Sequence, residues 1–342
     1  MSSFIGYRVG LFRAHWSRHA PGRPTPPHVF TEIYRWWLAA CTLKVLGASW
    51  DISWHFKWLR DELAPPHLLN TVGTVIAVVL VVIQGYTGMG GDRRTIRLLQ
   101  WGMGVFLVAM PLDAINHKVN GLDITTWSPS HFLLFLGTGI MIAGVVRGWR
   151  AGAPPGRAST LVLGAFWLFF LENVSFPNGH QEYGVLEIAS WDRGHPFAEP
   201  SLLRFAAEQI GRPVDRASLL NFALPIPSWV YPFYAVVGAM LVLVLARASV
   251  GRRWTATAIA AAYVAYRCLI WPILAGTGFP TSAVPFFLLA GAVVIDLAFL
   301  LRLPRYVRPV AGAVAVTAAV YGGLALQSAI AAAPRWRTGR RR

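Results

Sequence analysis

Stretches of about 20 apolar residues recur along most of this chain, and that is the length a helix needs to cross the hydrocarbon core of a bilayer. No single soluble core can absorb so many all-apolar helices. Composition agrees: 55% of the 342 residues are hydrophobic and only 13% are charged, against about 25% charged in an ordinary soluble domain. The fold class expected is all-α, a polytopic transmembrane helical bundle.

Nine spans are expected, at roughly 30–56, 67–89, 96–117, 131–149, 159–177, 226–247, 254–275, 281–302 and 307–330. They divide the chain into a basic tail (1–28), a five-span region (29–177), a polar loop or lid (178–225), a four-span region (226–332) and a second basic tail (333–342). The first 28 residues are basic and Pro-rich and lack an apolar core of the kind found in cleavable signal peptides, so none is expected.

The net charge of +16 comes mainly from arginines in short segments between spans. There they act as topology signals, and no nucleic-acid partner is expected. Arg8, Arg13, Arg18 and Arg23 precede span one; Arg93, Arg94 and Arg97 follow span two; Arg147, Arg150 and Arg157 follow span four. Arg247, Arg252 and Arg253 follow span six, and Arg302, Arg305 and Arg308 follow span eight. This alternation predicts a multi-pass cell-membrane protein with a cytoplasmic N-terminus. Nine spans leave the tail with Arg335, Arg337, Arg340, Arg341 and Arg342 outside, so either the last span is not a crossing or the tail departs from the rule. Cys41 and Cys268 both lie inside apolar spans and form neither a disulfide framework nor a thiolate metal motif.

The polar residues that carry chemistry are repeated. Asp51 and His55, then Asp61, Pro65, Pro66 and His67, then Gly73-Thr74 form one unit. Asp113 and His117, then Asp123, Pro129 and His131, then Gly137-Thr138 form a second with almost the same steps; only the turn differs, by two residues. The pattern predicts a duplicated helical hairpin in the N-terminal half. Residues four apart on a helix share a face, with Cβ atoms about 6 Å apart. Asp51 and His55 therefore point the same way, and His67 opens the returning helix beside them. Asp113, His117 and His131 repeat the arrangement.

Two imidazoles and one carboxylate suit a divalent zinc, copper or iron ion and describe a site with open positions. Asp61 and Asp123 are candidates to orient a ligating His by hydrogen bonding, or to cap helices in the turns. A lone Asp-x-x-x-His would be read as an interfacial cap, but repetition in register favours a metal. Glu172 lies in an apolar context at the end of span five and is a candidate catalytic carboxylate; Asn173, His180 and Glu182 follow it, the last two read as solvated loop residues. Arg267 and Asp296 are ionisable residues inside spans, expected to face the bundle interior, either paired with each other or with other polar groups, or marking an ion path. Trp50, Trp54, Trp58 and Trp127 fit an interfacial belt. Gly102, Gly104, Gly137, Gly139 and Gly144 fit close helix contacts.

Asp-x-x-x-His followed after a turn by His, twice in succession, resembles the C subunit of particulate methane and ammonia monooxygenases, over about residues 50–140. The resemblance implies two adjacent membrane copper sites. One would map to Asp51, His55 and His67; the other to Asp113, His117 and His131, with Asp113 where the family has Asn. It also implies partner membrane subunits, although a homo-oligomer is an alternative. The function expected first is a copper-dependent oxygenase, or a subunit of one, with an apolar small-molecule substrate reached from the lipid bilayer. A transporter or metal-handling protein, a zinc-dependent hydrolase with Glu172 as base, and a structural subunit without metal are the alternatives.

Overall fold

Proline opens four of the helices, at Pro27, Pro65, Pro129 and Pro200. Its fixed φ suits the first helical turn, where its missing N–H has no partner to lose. The structure, a computed structural model, describes residues 15–59, 64–120, 125–301, 304 and 306–334. Asp61 and Asp123 lie outside the described residues, as do Arg8, Arg13, Arg302, Arg305 and the arginines from 335 onward.

Eleven helices are found among the described residues, and no strand. They are α1 (Pro27–His55), α2 (Pro65–Thr87), α3 (Arg93–Asn120), α4 (Pro129–Gly152), α5 (Arg157–Trp191), α6 (Pro200–Glu208) and α7 (Arg216–Ala223). Then follow α8 (Val230–Val250), α9 (Thr255–Gly276), α10 (Phe287–Leu300) and α11 (Val307–Ile330). Helix α8 contains a π-helical stretch over Ala235–Met240.

Helices occupy all nine positions expected from hydropathy, but seven of them are long and apolar enough to cross a membrane on their own: α2, α3, α4, α5, α8, α9 and α11. Helix α10 is apolar but has only 14 residues. Helix α1 is long, yet Glu32, Arg35, Lys44 and Asp51 interrupt its apolar character. Large side chains such as Trp101, Leu161, Val119 and Ile330 are exposed on the bundle's outside, the pattern of a surface solvated by lipid rather than water.

The N-terminal half is two antiparallel hairpins, α1 with α2 and α3 with α4. Both crossings depend on glycine. A Cβ on Gly73 would sit 2.8 Å from the Ala40 carbonyl oxygen. A Cβ on Gly137 would sit 2.6 Å from the Phe106 nitrogen and 2.8 Å from the Gly102 carbonyl oxygen. Gly104, by contrast, has nothing within 4 Å of its Cβ position and plays no packing role inside the bundle. Asp92 ties α3 to α4 at the opposite end. It caps α3 through the Thr95 N–H (2.8 Å) and accepts a 2.5 Å bond from Arg147 near the end of α4.

Helix α5 is the central post, packed against α1, α4, α7, α8 and α9. It runs to Trp191, well past the end expected at 177. Residues Asn178, His180, Gln181, Glu182 and Glu187 are polar but buried against protein. Hydropathy reads such residues as a loop, because it cannot distinguish a water-facing polar side chain from one facing a neighbouring helix. The remainder of 178–225 holds the short helices α6 and α7, and Asp215 with Ser218 forms a capping box on the latter.

Adding one methyl group at Gly137 pushes backbone against backbone, whereas the same change at Gly104 meets open space. Gly137→Ala is expected to lower thermal stability by about 1–3 kcal/mol, and Gly104→Ala to stay within about 0.5–1 kcal/mol of wild type. Thermal unfolding of both variants in nanodiscs measures the difference.

Candidate metal centres

Centre one forms where α1 ends and α2 begins. Asp51 and His55 lie on the last turns of α1, and His67 is the third residue of α2. The Nε2 atoms of His55 and His67 are 3.1 Å apart. Both face Oδ1 of Asp51, at 3.2 Å and 2.8 Å. Two donors about 2.0–2.2 Å from one ion, at angles of about 90–110°, lie about 2.8–3.6 Å apart. The triangle therefore has the size of one face of a metal coordination sphere. Three lone-pair-bearing atoms meeting in this way repel one another unless positive charge sits among them. A proton serves one edge of the triangle, and a single cation serves all three.

Centre two repeats the arrangement with Asp113 and His117 on α3 and His131 at the third position of α4. Oδ1 of Asp113 lies 3.7 Å from His117 Nε2 and 3.5 Å from His131 Nε2. The Ser128 side chain caps α4 by accepting the His131 backbone N–H. His131 Nδ1 lies 2.8 Å from the Thr125 carbonyl oxygen. A carbonyl can only accept, so Nδ1 carries the proton and Nε2 presents its lone pair toward Asp113. Such a bond from the remote ring nitrogen fixes tautomer and orientation in a metal-ligating His. Both groups could hold a metal ion.

The two centres share a chamber. A cavity of about 250 Å³ is lined by Asp51, His55 and His67 of centre one and by His131 of centre two. Its walls are largely apolar and aromatic, with Trp37, Phe106, Phe135 and Phe169 among them. Glu172 faces it from α5, nine-tenths buried, and also borders a smaller cleft beside Tyr183, Tyr263 and Arg267.

Sequence reasoning passed over Lys44, which lies two turns below Asp51 on the same face of α1 and also lines the chamber. Its Nζ donates to Asn70 Oδ1 and Thr74 Oγ1, both at 3.0 Å, and lies 4.7 Å from the centre of the Phe106 ring. The signal was present: a lysine in mid-span, with Asn70 and Thr74 at helical spacing from His67.

Two expectations are corrected, for His180 with Glu182 and for Gly104, and of the alternatives for Arg267 and Asp296 the structure shows pairing with other polar groups. Arg267 and Asp296 do not pair. Arg267 donates to Glu182 (2.7 Å), Ser282 and Tyr263, while Asp296 pairs with Arg247 at 3.0 Å and accepts the Thr257 N–H at 2.8 Å. In the antiparallel α9–α10 hairpin Asp296 is level with Thr257, ten residues from Arg267, or about 15 Å along the axis. His180 and Glu182 are not solvated loop residues; both are buried on α5, with His180 Nε2 2.9 Å from the Phe222 carbonyl oxygen. Gly104 is not a helix contact. Trp50, Trp54 and Trp58 pack edge-on or tilted around Phe279 at the end of α1.

Arg267→Ala leaves the Glu182 carboxylate buried without its cation and is expected to cost about 3–5 kcal/mol. Adding Glu182→Gln should recover much of the loss, and a double-mutant cycle on thermal unfolding reads both. Comparison with protein-family models, with curated proteins and with solved structures finds nothing that matches this chain.

Proposed function

We propose that the chain is a copper-dependent membrane oxygenase, or the metal-bearing subunit of one. The observation that carries the reading is two Asp/His/His groups, each of which could hold a metal ion, with all of centre one and His131 of centre two lining one largely apolar chamber. Two imidazoles and a carboxylate leave positions open for an exogenous ligand and suit copper, iron or zinc. Copper is placed first on the resemblance of residues 50–140 to the C subunit of particulate methane and ammonia monooxygenases.

Internal duplication is part of this reading. Ala40, Lys44, Asp51 and His55 precede Gly102, Phe106, Asp113 and His117 by one constant step along the chain. The glycines that permit the crossings, Gly73 and Gly137, meet the corresponding pairs Ala40/Lys44 and Gly102/Phe106. Nine crossings and a cytoplasmic N-terminus also belong to it: the arginine-bearing segments around Asp92, Ala153 and Gly251 lie at the end away from the centres, as the positive-inside rule asks.

In this reading the chain's own residues do three things. His55, His67, His117 and His131 with Asp51 and Asp113 hold the ions. Bound copper supplies redox activation of dioxygen, with electrons from an external donor. The aromatic walls exclude water and seat an apolar molecule beside the centres, and Glu172 is placed to accept or return a proton in the chamber. For the transporter alternative, Arg267 and Asp296 supply no continuous ion path, because they belong to separate, internally paired networks.

The test is oxygen incorporation. Copper-reconstituted protein in nanodiscs, given a chemical reductant and heavy-isotope dioxygen, should insert one labelled oxygen atom into an apolar substrate, the other leaving as water. His55→Gln/His67→Gln and His117→Gln/His131→Gln should each lower product by at least about 100-fold. Equal product from wild type and both variants, or product carrying oxygen from water, contradicts the oxygenase reading.

A further inference from the structure

The chamber's polar groups point to a particular class of occupant. Glu172 makes no hydrogen bond and no ion pair among the described residues, although it is nine-tenths buried and borders the cavity. A buried carboxylate without a partner is costly, and costlier still at membrane depth, where such groups persist for functional reasons. Of the basic side chains, Lys44 shares the cavity lining with it and Arg267 shares the smaller cleft. Arg267 is already neutralised by Glu182, at 2.7 Å. Lys44 is therefore the balancing charge within the chamber.

Lys44 has its own unused capacity. An ammonium offers three donors, and two are engaged by Asn70 and Thr74. Phe106 covers another side of the group. One acceptor in the chamber would complete its set, and one donor would satisfy Glu172. The other polar groups of the lining are the ligand candidates Asp51, His55, His67 and His131, together with Asn70, Thr125, Thr126, Thr138, Asn173 and His180; Asn70 already accepts from Lys44, and Asn173 is committed to the Phe135 carbonyl oxygen at 3.1 Å.

The geometry points to a neutral amphiphile as the chamber's ligand: an apolar body against the aromatic walls and a hydroxyl head held by Lys44 and Glu172. A hydroxyl both donates and accepts, which matches one spare donor and one spare acceptor. A charged head satisfies one of the two groups and leaves the other facing a like charge or an unmatched hydrogen-bonding partner, whereas a hydroxyl serves both. A plain alkane leaves both charged groups unsatisfied. Only the first hairpin carries the cation: the position corresponding to Lys44 in the second is Phe106, and the two meet face to face. This inference deepens the oxygenase reading by naming the class of molecule held beside the centres; it rests on that reading for the reaction, but not for binding.

Binding is measured by native mass spectrometry of the full chain released from nanodiscs, both metal-free and loaded with redox-inert zinc. The probes are 1-octanol, octane, octylamine and octanoate. The result expected is saturable binding of one octanol per chain, at least about tenfold tighter than any other probe, in the metal-free as well as the zinc-loaded form. Lys44→Met and Glu172→Leu should each weaken octanol about tenfold or more and leave octane unchanged. Equal binding of octane and octanol, preference for a charged probe, or no saturable binding to folded wild-type protein overturns the inference. The probe comparison needs wild type alone, so misfolding of a variant does not remove the test. Failure of both centres to take metal, with octanol still bound, sinks the oxygenase reading and leaves the chamber assignment standing.

Discussion

The close approach of helix backbones at Gly73 and Gly137 governs the end of this bundle that carries the two Asp/His/His groups. A metal face tolerates errors of only a few tenths of an ångström, and its donors here come from two helices joined by a turn. Side chains at the crossings would force the helices apart and pull His67 from Asp51, and His131 from Asp113. With glycine there, carbonyl oxygens and amides of the facing helix occupy the space a Cβ would take. The returning helices then start close enough for their third residues, both histidines, to reach the ends of their partners.

A second constraint is the low polarity of the surroundings. Each ionisable group inside the bundle must be neutralised or be poised for something that neutralises it. Arg247 and Asp296 meet that demand at one end, where Asp296 also caps the start of α9. Arg267 and Glu182 meet it in the middle, with Tyr231 donating to the other carboxylate oxygen at 3.0 Å. Those networks are closed. Asp51, His55 and His67 of centre one, His131 of centre two, Lys44 and Glu172 line the large cavity instead. Polar groups that line the cavity are thus separated from polar groups paired within the protein.

Much of this was legible in the sequence because helical spacing is local. Asp51 and His55, four residues apart, share a face in any helix, and a proline-opened return brings His67 to the same end. The repeat at Asp113, His117 and His131 reinforced that reading, and the structure brings together all six. What spacing cannot give is which neighbour a face will meet. Arg267 found Glu182 because α5 continues to Trp191, and that continuation was hidden by residues polar in type yet buried in place. Lys44 was hidden in the opposite way, as one charge in an otherwise apolar span. Its partners, Asn70 and Thr74, sit on a different helix and become visible only once α1 and α2 are paired.

The most direct test of the central claim is metal stoichiometry on purified full-length protein in nanodiscs, by elemental mass spectrometry after reconstitution. The account predicts two equivalents of copper per chain in wild type. One should be lost in His55→Gln/His67→Gln and the other in His117→Gln/His131→Gln, with each variant still folded. Folded wild-type protein that retains no copper, zinc or iron would contradict it, and the paired triangles would then be devices for joining helix ends.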